Sequence, residues 1–288
     1  MITNHPTVRW PAPAKVNRFL HIVGRREDGY HLLESVFQLI DWHDWLSFRV
    51  RPEPDIRLSC NLPALSHQDN LAYRAAALLK RETQCPLGVD IHLEKHIPMG
   101  AGLGGGSSDA ATVLVALNHL WQLNLSSSQL AGMALQLGAD VPFFIHGHNA
   151  YVTGIGEHIE PIDIDLPTLL LVTPNVHVST QSVFQHPNLN RDSQRLGKNA
   201  LPTPLGEFGR NDCEPLVRTL YPGIDAIFQI LEEFCHPRLT GTGATVYAMF
   251  DNPMKARKIA PRCSTTWKVR VVDTLPHSPL LEMLGNGH

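Results

Sequence analysis

Pro98-Met-Gly-Ala-Gly-Leu-Gly-Gly-Gly-Ser-Ser-Asp109 packs five glycines into the seven residues from Gly100 to Gly106. Before it, Val89, Ile91 and Leu93 alternate with Asp90, His92 and Glu94, the period-two pattern of a strand. After it, Ser107 to Trp121 is rich in alanine and leucine with apolar residues all round, which predicts a buried helix. A strand, a glycine loop and a helix in that order make an anion cradle. Glycine tolerates positive φ and close backbone approach, so successive N–H groups aim at phosphate oxygens while the helix dipole adds its positive end. A tight turn alone does not need five glycines. The candidate phosphate-binding residues are therefore Pro98, Met99, Gly100, Ala101, Gly102, Leu103, Gly104, Gly105, Gly106, Ser107 and Ser108, the two serines placed to cap the helix or donate to phosphate.

The class of phosphate loop is narrowed by what is missing. A Walker A loop places Lys-Ser/Thr directly after its last glycine, whereas here Gly106 runs into Ser107. Gly100-x-Gly102-x-x-Gly105 fits the dinucleotide fingerprint, so a nicotinamide or flavin oxidoreductase is the competing class. That fingerprint also calls for an acidic residue about 20 positions on, and Trp121 to Ser128 offers none.

Outward from the loop, Val16 to Val23, Val36 to Ile40 and Trp45 to Val50 read as strands. Asp69-Asn70 caps a helix from Leu71 to about Glu82, stopped by Cys85-Pro-Leu-Gly88. A helix from Ser126 to Leu137 closes at Gly138, just before Asp140-Val-Pro142. Leu169 to Val172 is a proline-flanked strand, Asn188 to Asn199 reads as a flexible surface segment, and from Asn211 helices alternate with strands down to Lys268–Val272. The expectation is an α/β protein of two domains, residues 1–160 and 161–288.

Composition removes several classes. No apolar run approaches the ~18 residues that span a bilayer, and Met1 to Pro6 lacks the charged-then-apolar pattern of a leader. A soluble cytoplasmic enzyme without a membrane partner is expected. A net charge of −3 with no basic run argues against nucleic acid. The five cysteines are odd in number and never form C-x-x-C, so neither a disulfide framework nor a zinc knuckle is indicated. His92-Leu-Glu-Lys-His96 imitates a zinc-protease motif with its glutamate misplaced. On a strand its histidines would lie ~13 Å apart, so no metal site is assigned.

The glycine loop resembles the ATP loop of the GHMP kinases, Pro-x-x-x-Gly-Leu-Gly-Ser/Gly-Ser-Ser. Two further segments similar to that family follow in the expected order: Pro13-Ala-Lys15-Val-Asn17 and the second glycine-rich loop, Leu239-Thr-Gly-Thr-Gly-Ala-Thr-Val-Tyr247. Gly24-Arg-Arg-Glu-Asp-Gly-Tyr-His31, Gly138-Ala-Asp-Val-Pro142 and Asn211-Asp-Cys-Glu214 carry the resemblance over nearly the whole chain. They bring it closest to members that phosphorylate the 2-hydroxyl of a cytidine diphosphate-linked methylerythritol. Arg18, Leu33 and Asp192 to Leu205 depart from the pattern.

The resemblance implies a two-domain GHMP kinase fold of α/β (α+β) class, with an ATP-binding N-terminal domain and a ferredoxin-like C-terminal domain. ATP is implied as co-substrate, with Mg2+ carried largely by its phosphates. It further implies that Asp140 is the general base and that Lys15 steadies the developing charge. Phosphoryl transfer needs such positioning and charge stabilisation more than covalent chemistry. Tyr30 is expected to stack on cytosine with Phe184 opposite, and His31 to bond the base edge. Asn17 and Thr180 are expected at the sugar or phosphate end, and Lys95 and Asn70 at the nucleoside of ATP. From local sequence alone, Asp140 reads equally as a helix cap, Lys15 as a solvated strand lysine, and Tyr30, His31 and Phe184 as core or turn residues. A GHMP kinase for another alcohol, such as mevalonate or homoserine, and a nucleotide sensor without turnover are the remaining readings. A monomer or weak homodimer is expected.

Overall fold

The computed structural model describes residues 8–285; the Met1 to Pro6 stretch read for a leader lies outside the described residues. Two long antiparallel strands, β1 (Arg9–Arg25) and β2 (His31–Arg51), replace the three shorter ones expected. The sequence hid the start of β1 behind Pro11 and Pro13. These are tolerated because β1 pairs only with β2, leaving its other edge without a ladder to break. Register shifts at Pro13/Ala14, Asn17/Phe19 and Ile22/Gly24 bend the pair. β3 (Ile56–Cys60) runs parallel to β4 (Gly88–Glu94), with helix α1 (Leu71–Thr83) between them in sequence, and β5 (Ala150–Gly154) and β6 (His158–Pro161) complete a six-stranded sheet.

Helix α2 (Gly105–Leu120) is the centre of the first core: every residue from Ser108 to Leu117 is buried, as its all-round apolar sequence requires. It starts two residues earlier than expected because Gly104 takes a left-handed conformation (φ 72°) that turns the loop directly into the helix. α3 (Ser127–Ala134) opens on a full capping box between Ser126 and Gln129, and α4 (Val141–His146) follows Asp140.

The second sheet is antiparallel, in the order β10 (Lys268–Asp273), β7 (Thr168–Thr173), β9 (Val246–Phe250) and β8 (Arg238–Leu239). α5 (Thr180–Gln185) and α6 (Glu214–Leu220) precede α7 (Pro222–Leu231), and α8 (Pro253–Ile259) and α9 (Pro261–Ser264) precede β10. The unbroken apolar run of β7 is explained by burial on both faces. Leu170 and Val172 join Ile224, Ile227 and Phe228 of α7, while Leu169 and Leu171 pack with Ala14, Val16 and Ile40 of the first sheet's long strands. β1 thus serves both halves of the molecule. A last helix, α10 (Pro279–Gly285), unforeseen in the sequence, returns Leu280 to the first core.

Asn188 to Asn199 runs mostly exposed and with little regular structure, but it is tied down: Ser193 N donates to the Ile22 carbonyl at 3.0 Å, and Gly197 N donates to the buried Glu34 carboxylate at 2.6 Å. Its partners lie some 160 residues away in sequence, where no local periodicity could reveal them. Arg18, the residue out of pattern, is buried and held by Gln38, the Gly206 carbonyl and an ion pair with Asp165 at 2.9 Å.

Candidate active site

A cavity of about 1070 Å3 opens where the glycine loop, the β1–β2 hairpin and the second sheet's loops meet. Of the candidate phosphate-binding, catalytic and substrate residues, Ser108 alone does not line it. Ser107 faces the cavity, whereas Ser108, one helical step of about 100° further round, is fully buried and its Oγ has no hydrogen-bond partner among the described residues.

The loop's shape is imposed from behind. Gly102 has φ +75°, and a Cβ there would lie 2.2 Å from the Thr240 carbonyl oxygen, so only glycine fits. The two glycine-rich loops are bonded together: Thr245 N donates to the Ala101 carbonyl at 3.2 Å and Thr240 Oγ1 to the Gly102 carbonyl at 3.2 Å. Asn211, from the Asn-Asp-Cys-Glu segment, fixes the second loop by donating to the carbonyls of Leu239 (2.9 Å) and Gly241 (2.8 Å).

Lys15 is not a solvated strand lysine. Its backbone N–H donates to the Leu103 carbonyl at 3.0 Å, and its ammonium lies 4.4 Å from the Phe37 ring centroid. Nζ donates to Asn17 Oδ1 at 2.7 Å and sits 3.5 Å from Asp140 Oδ2. Asn17 is held in turn, donating from Nδ2 to Ser35 Oγ at 2.9 Å and from its backbone to Thr240 Oγ1 at 3.0 Å. Asp140 occupies the cap position of α4 yet makes no side-chain capping bond. Its carboxylate, one third exposed, faces the cavity and Lys15 instead. An aspartate poised beside a buried ammonium at the foot of an anion loop can accept a proton from a hydroxyl while the cation holds the alkoxide-like charge.

Tyr30, His31 and Phe184, the residues expected at the base, all line the cavity. Phe184 stacks on His31, with centroids 5.0 Å apart and planes 24° from parallel, while Tyr30 stands 59% exposed on the turn between β1 and β2. Burial lowers the pKa of His31 below its usual value, and the charges of Arg191 and Arg25 lower it further, which favours the neutral imidazole. Thr180 Oγ1 shares a 3.0 Å hydrogen bond with Thr242 Oγ1, a residue of the second glycine loop.

Lys95 and Asn70 reach the cavity wall, but their polar ends are engaged by the protein rather than extended towards a nucleoside. The Lys95 ammonium is buried between Asp44 and Asp109, the latter at 2.6 Å. Desolvation opposes its charge, yet the two carboxylates outweigh that and raise its pKa; the Asp109 carboxyl is pushed up by burial to about 7. Asn70 caps α1, accepting from Ala72 N at 2.9 Å and donating to the Leu65 carbonyl at 2.9 Å. Asp44, Thr240, Thr242 and Arg191 were not legible as site residues. The two threonines did lie inside the second glycine loop, which was the available signal.

Among the described residues no three His, Cys, Asp or Glu side chains form a cage for a metal ion, and no helix is long and apolar enough to cross a membrane.

The family description "GHMP kinases N terminal domain" matches residues 70–148 and "GHMP kinases C terminal" matches 194–269. The 4-diphosphocytidyl-2-C-methyl-D-erythritol kinase of Nitrosococcus oceani is 48% identical over 96% of this chain and 97% of its own. The corresponding protein of Mannheimia succiniciproducens is 46% identical over 96% of this chain and 90% of its own. A crystal structure of 4-(cytidine 5'-diphospho)-2C-methyl-D-erythritol kinase superposes with a TM-score of 0.80 at 31% identity, covering 93% of this chain and 99% of the other. The mevalonate kinase of Methanococcus jannaschii shares the fold, with a TM-score of 0.67 at 14% identity over 96% of this chain and all of the other.

Proposed function

This chain belongs to the GHMP kinase family, and we propose that it transfers the γ-phosphoryl group of ATP to the 2-hydroxyl of 4-diphosphocytidyl-2-C-methyl-D-erythritol, a step of non-mevalonate isoprenoid precursor biosynthesis. Its fold is the two-domain one of that family, an ATP-binding N-terminal domain and a ferredoxin-like C-terminal domain; we take the division as 1–160 and 161–288.

The observation that carries the reading is the Lys15–Asp140 pair, 3.5 Å apart at the foot of the glycine loop, in a chain nearly half identical to a kinase of that name. The glycine loop and the N-terminus of α2 hold the triphosphate with backbone N–H groups. Asp140 accepts the hydroxyl proton as the substrate oxygen bonds to the γ-phosphorus and the bridge to the β-phosphate breaks, releasing ADP. Lys15, locked by Asn17, stabilises the charge gathering on the transferring group. His31, Phe184 and Tyr30 lie on the same cavity to take the cytosine, base–aromatic stacking being worth about 1–3 kcal/mol. The wall residues fit a nucleotide-borne Mg2+ better than a protein-held one, because the Asp109 carboxylate on α2 is paired with Lys95 and that of Asp140 with Lys15. The reading carries with it a cytoplasmic monomer or weak homodimer, with neither a membrane nor a nucleic-acid partner.

The test is ADP release by the purified protein with Mg-ATP and the cytidyl substrate, with mevalonate and homoserine as controls. Turnover of the cytidyl substrate alone is the expected result. Turnover of mevalonate or homoserine instead would leave the kinase class standing and remove the substrate.

A further inference from the structure

Arg191 lies in the segment that sequence patterns left unexplained, and it touches both sides of the aromatic wall. Its Nε donates to His31 Nε2 at 3.0 Å. Its Nη2 donates to the carbonyls of Phe184 (2.9 Å) and His186 (2.7 Å), and its Nη1 to that of Leu189 (3.0 Å). A guanidinium is always protonated and has no acceptor, so the imidazole nitrogen facing it must present a lone pair. A neutral imidazole that accepts at Nε2 carries its one proton on Nδ1. The charged groups facing the ring are Arg191, from the segment after α5, and Arg25, from the end of β1; Asp28 of the intervening turn is paired with Arg26 at 2.7 Å.

We propose that Arg191 is the positioning residue of the base pocket: it fixes His31 as the Nδ1–H tautomer, a donor matched to an acceptor on the pyrimidine edge, and fastens the end of α5 that carries Phe184. The proposal rests on the cytidyl-substrate reading above. Free neutral imidazole favours the other tautomer, so without the guanidinium Nδ1 becomes an acceptor and opposes the ring nitrogen or carbonyl oxygen of cytosine. Lysine cannot substitute, because a point charge does not span an imidazole and three carbonyls in one plane.

The experiment has two arms on the full chain. Long-range proton–nitrogen NMR correlation on the wild-type protein reads the His31 tautomer directly, with protonated Nδ1 and unprotonated Nε2 expected. Cytidine 5'-diphosphate binding and steady-state kinetics are then compared for wild type, Arg191→Met and Arg191→Lys. Arg191→Met is expected to weaken cytidine diphosphate and raise KM for the cytidyl substrate about tenfold, the loss of one well-placed hydrogen bond, with KM for ATP unchanged; Arg191→Lys falls between. The ratio of wild-type to Arg191→Met affinity should narrow as pH falls through the His31 pKa of the variant, because protonation restores the Nδ1–H. A merely structural arginine would not produce that narrowing. A wild-type proton on Nε2, or an equal rise in both KM values, overturns the proposal while cytidyl turnover keeps the substrate reading intact. The stated tautomer without any cytidine diphosphate binding overturns the base-pocket role and counts against the substrate reading as well.

Discussion

Lys95→Met removes the single cation from between two buried carboxylates. At 2.6 Å and an effective dielectric near 20, the Lys95–Asp109 attraction alone is about 6 kcal/mol gross. Desolvation of the charged groups offsets much of it, and losing one partner of such a buried pair typically costs about 3–5 kcal/mol net. The lower end applies here, because the Asp109 carboxyl, already pushed up to about 7, takes a proton rather than standing charged. We expect Lys95→Met to lose about 3 kcal/mol in urea unfolding at pH 7.5. Asp109→Asn should cost about 1–3 kcal/mol in the wild-type background and under about 1 kcal/mol beside Lys95→Met, where no ammonium remains to lose. A loss below about 1 kcal/mol for Lys95→Met, or equal costs of Asp109→Asn in both backgrounds, would refute the coupled triad. The pH sense also follows: a carboxyl whose folded pKa is raised stabilises fully below pH ~4, and that contribution fades as pH rises through about 7, a slope that Asp109→Asn should remove.

Asp140→Asn should lower kcat about 10²–10⁴-fold while costing no more than about 1 kcal/mol of stability, since the side chain caps nothing and its partly exposed carboxylate meets Lys15 only at 3.5 Å; kcat within about threefold of wild type would remove it as the base. Gly102→Ala forces a Cβ to within 2.2 Å of the Thr240 carbonyl oxygen at a positive φ, so we expect a loss of about 2–4 kcal/mol and weakened ATP binding, measured by thermal unfolding and nucleotide titration. Asp165 is held below the usual carboxylate range: desolvation opposes this, but Arg18 and the Gly206 N–H outweigh it. Its contribution is therefore present above pH ~4 and lost as pH falls through the lower folded value, so the deficit of Asp165→Asn, about 2–3 kcal/mol at pH 7, should shrink towards pH 3. A deficit that grows on acidification would contradict the pairing with Arg18.

The glycine loop, α1 and α2, and strands β4, β7 and β10 were legible because each obeys a local rule: periodicity, a cap, or an unbroken apolar run. The pairing of Asp140 with Lys15 was not decidable locally. An aspartate before Val-Pro is a natural helix start, and the absence of a capping bond appears only once Lys15 arrives from a strand 125 residues earlier. Ser107 and Ser108 look alike in sequence, and only the helical rotation between them sends one to the cavity and the other into the core. The pairing of Lys95 was hidden for the same kind of reason: its partners, Asp44 on β2 and Asp109 on α2, become visible only when both elements pack.

These contacts have a common geometry. The first glycine loop is shaped by the second through Thr240 and Thr245, and the second reaches the substrate side through the bond of Thr242 to Thr180, which opens the helix carrying Phe184. Asn17 joins the same network from β1, receiving Lys15 on Oδ1 while its backbone N–H donates to Thr240. A displacement of the first glycine loop therefore has a hydrogen-bonded route to Lys15 and to the helix that carries Phe184. Thr240→Val, which keeps the side-chain shape but removes the hydrogen bonds of Oγ1 to Asn17 and Gly102, should on this argument raise KM for ATP and for the alcohol substrate together while lowering kcat. A change confined to ATP alone would show that the two loops touch without transmitting position.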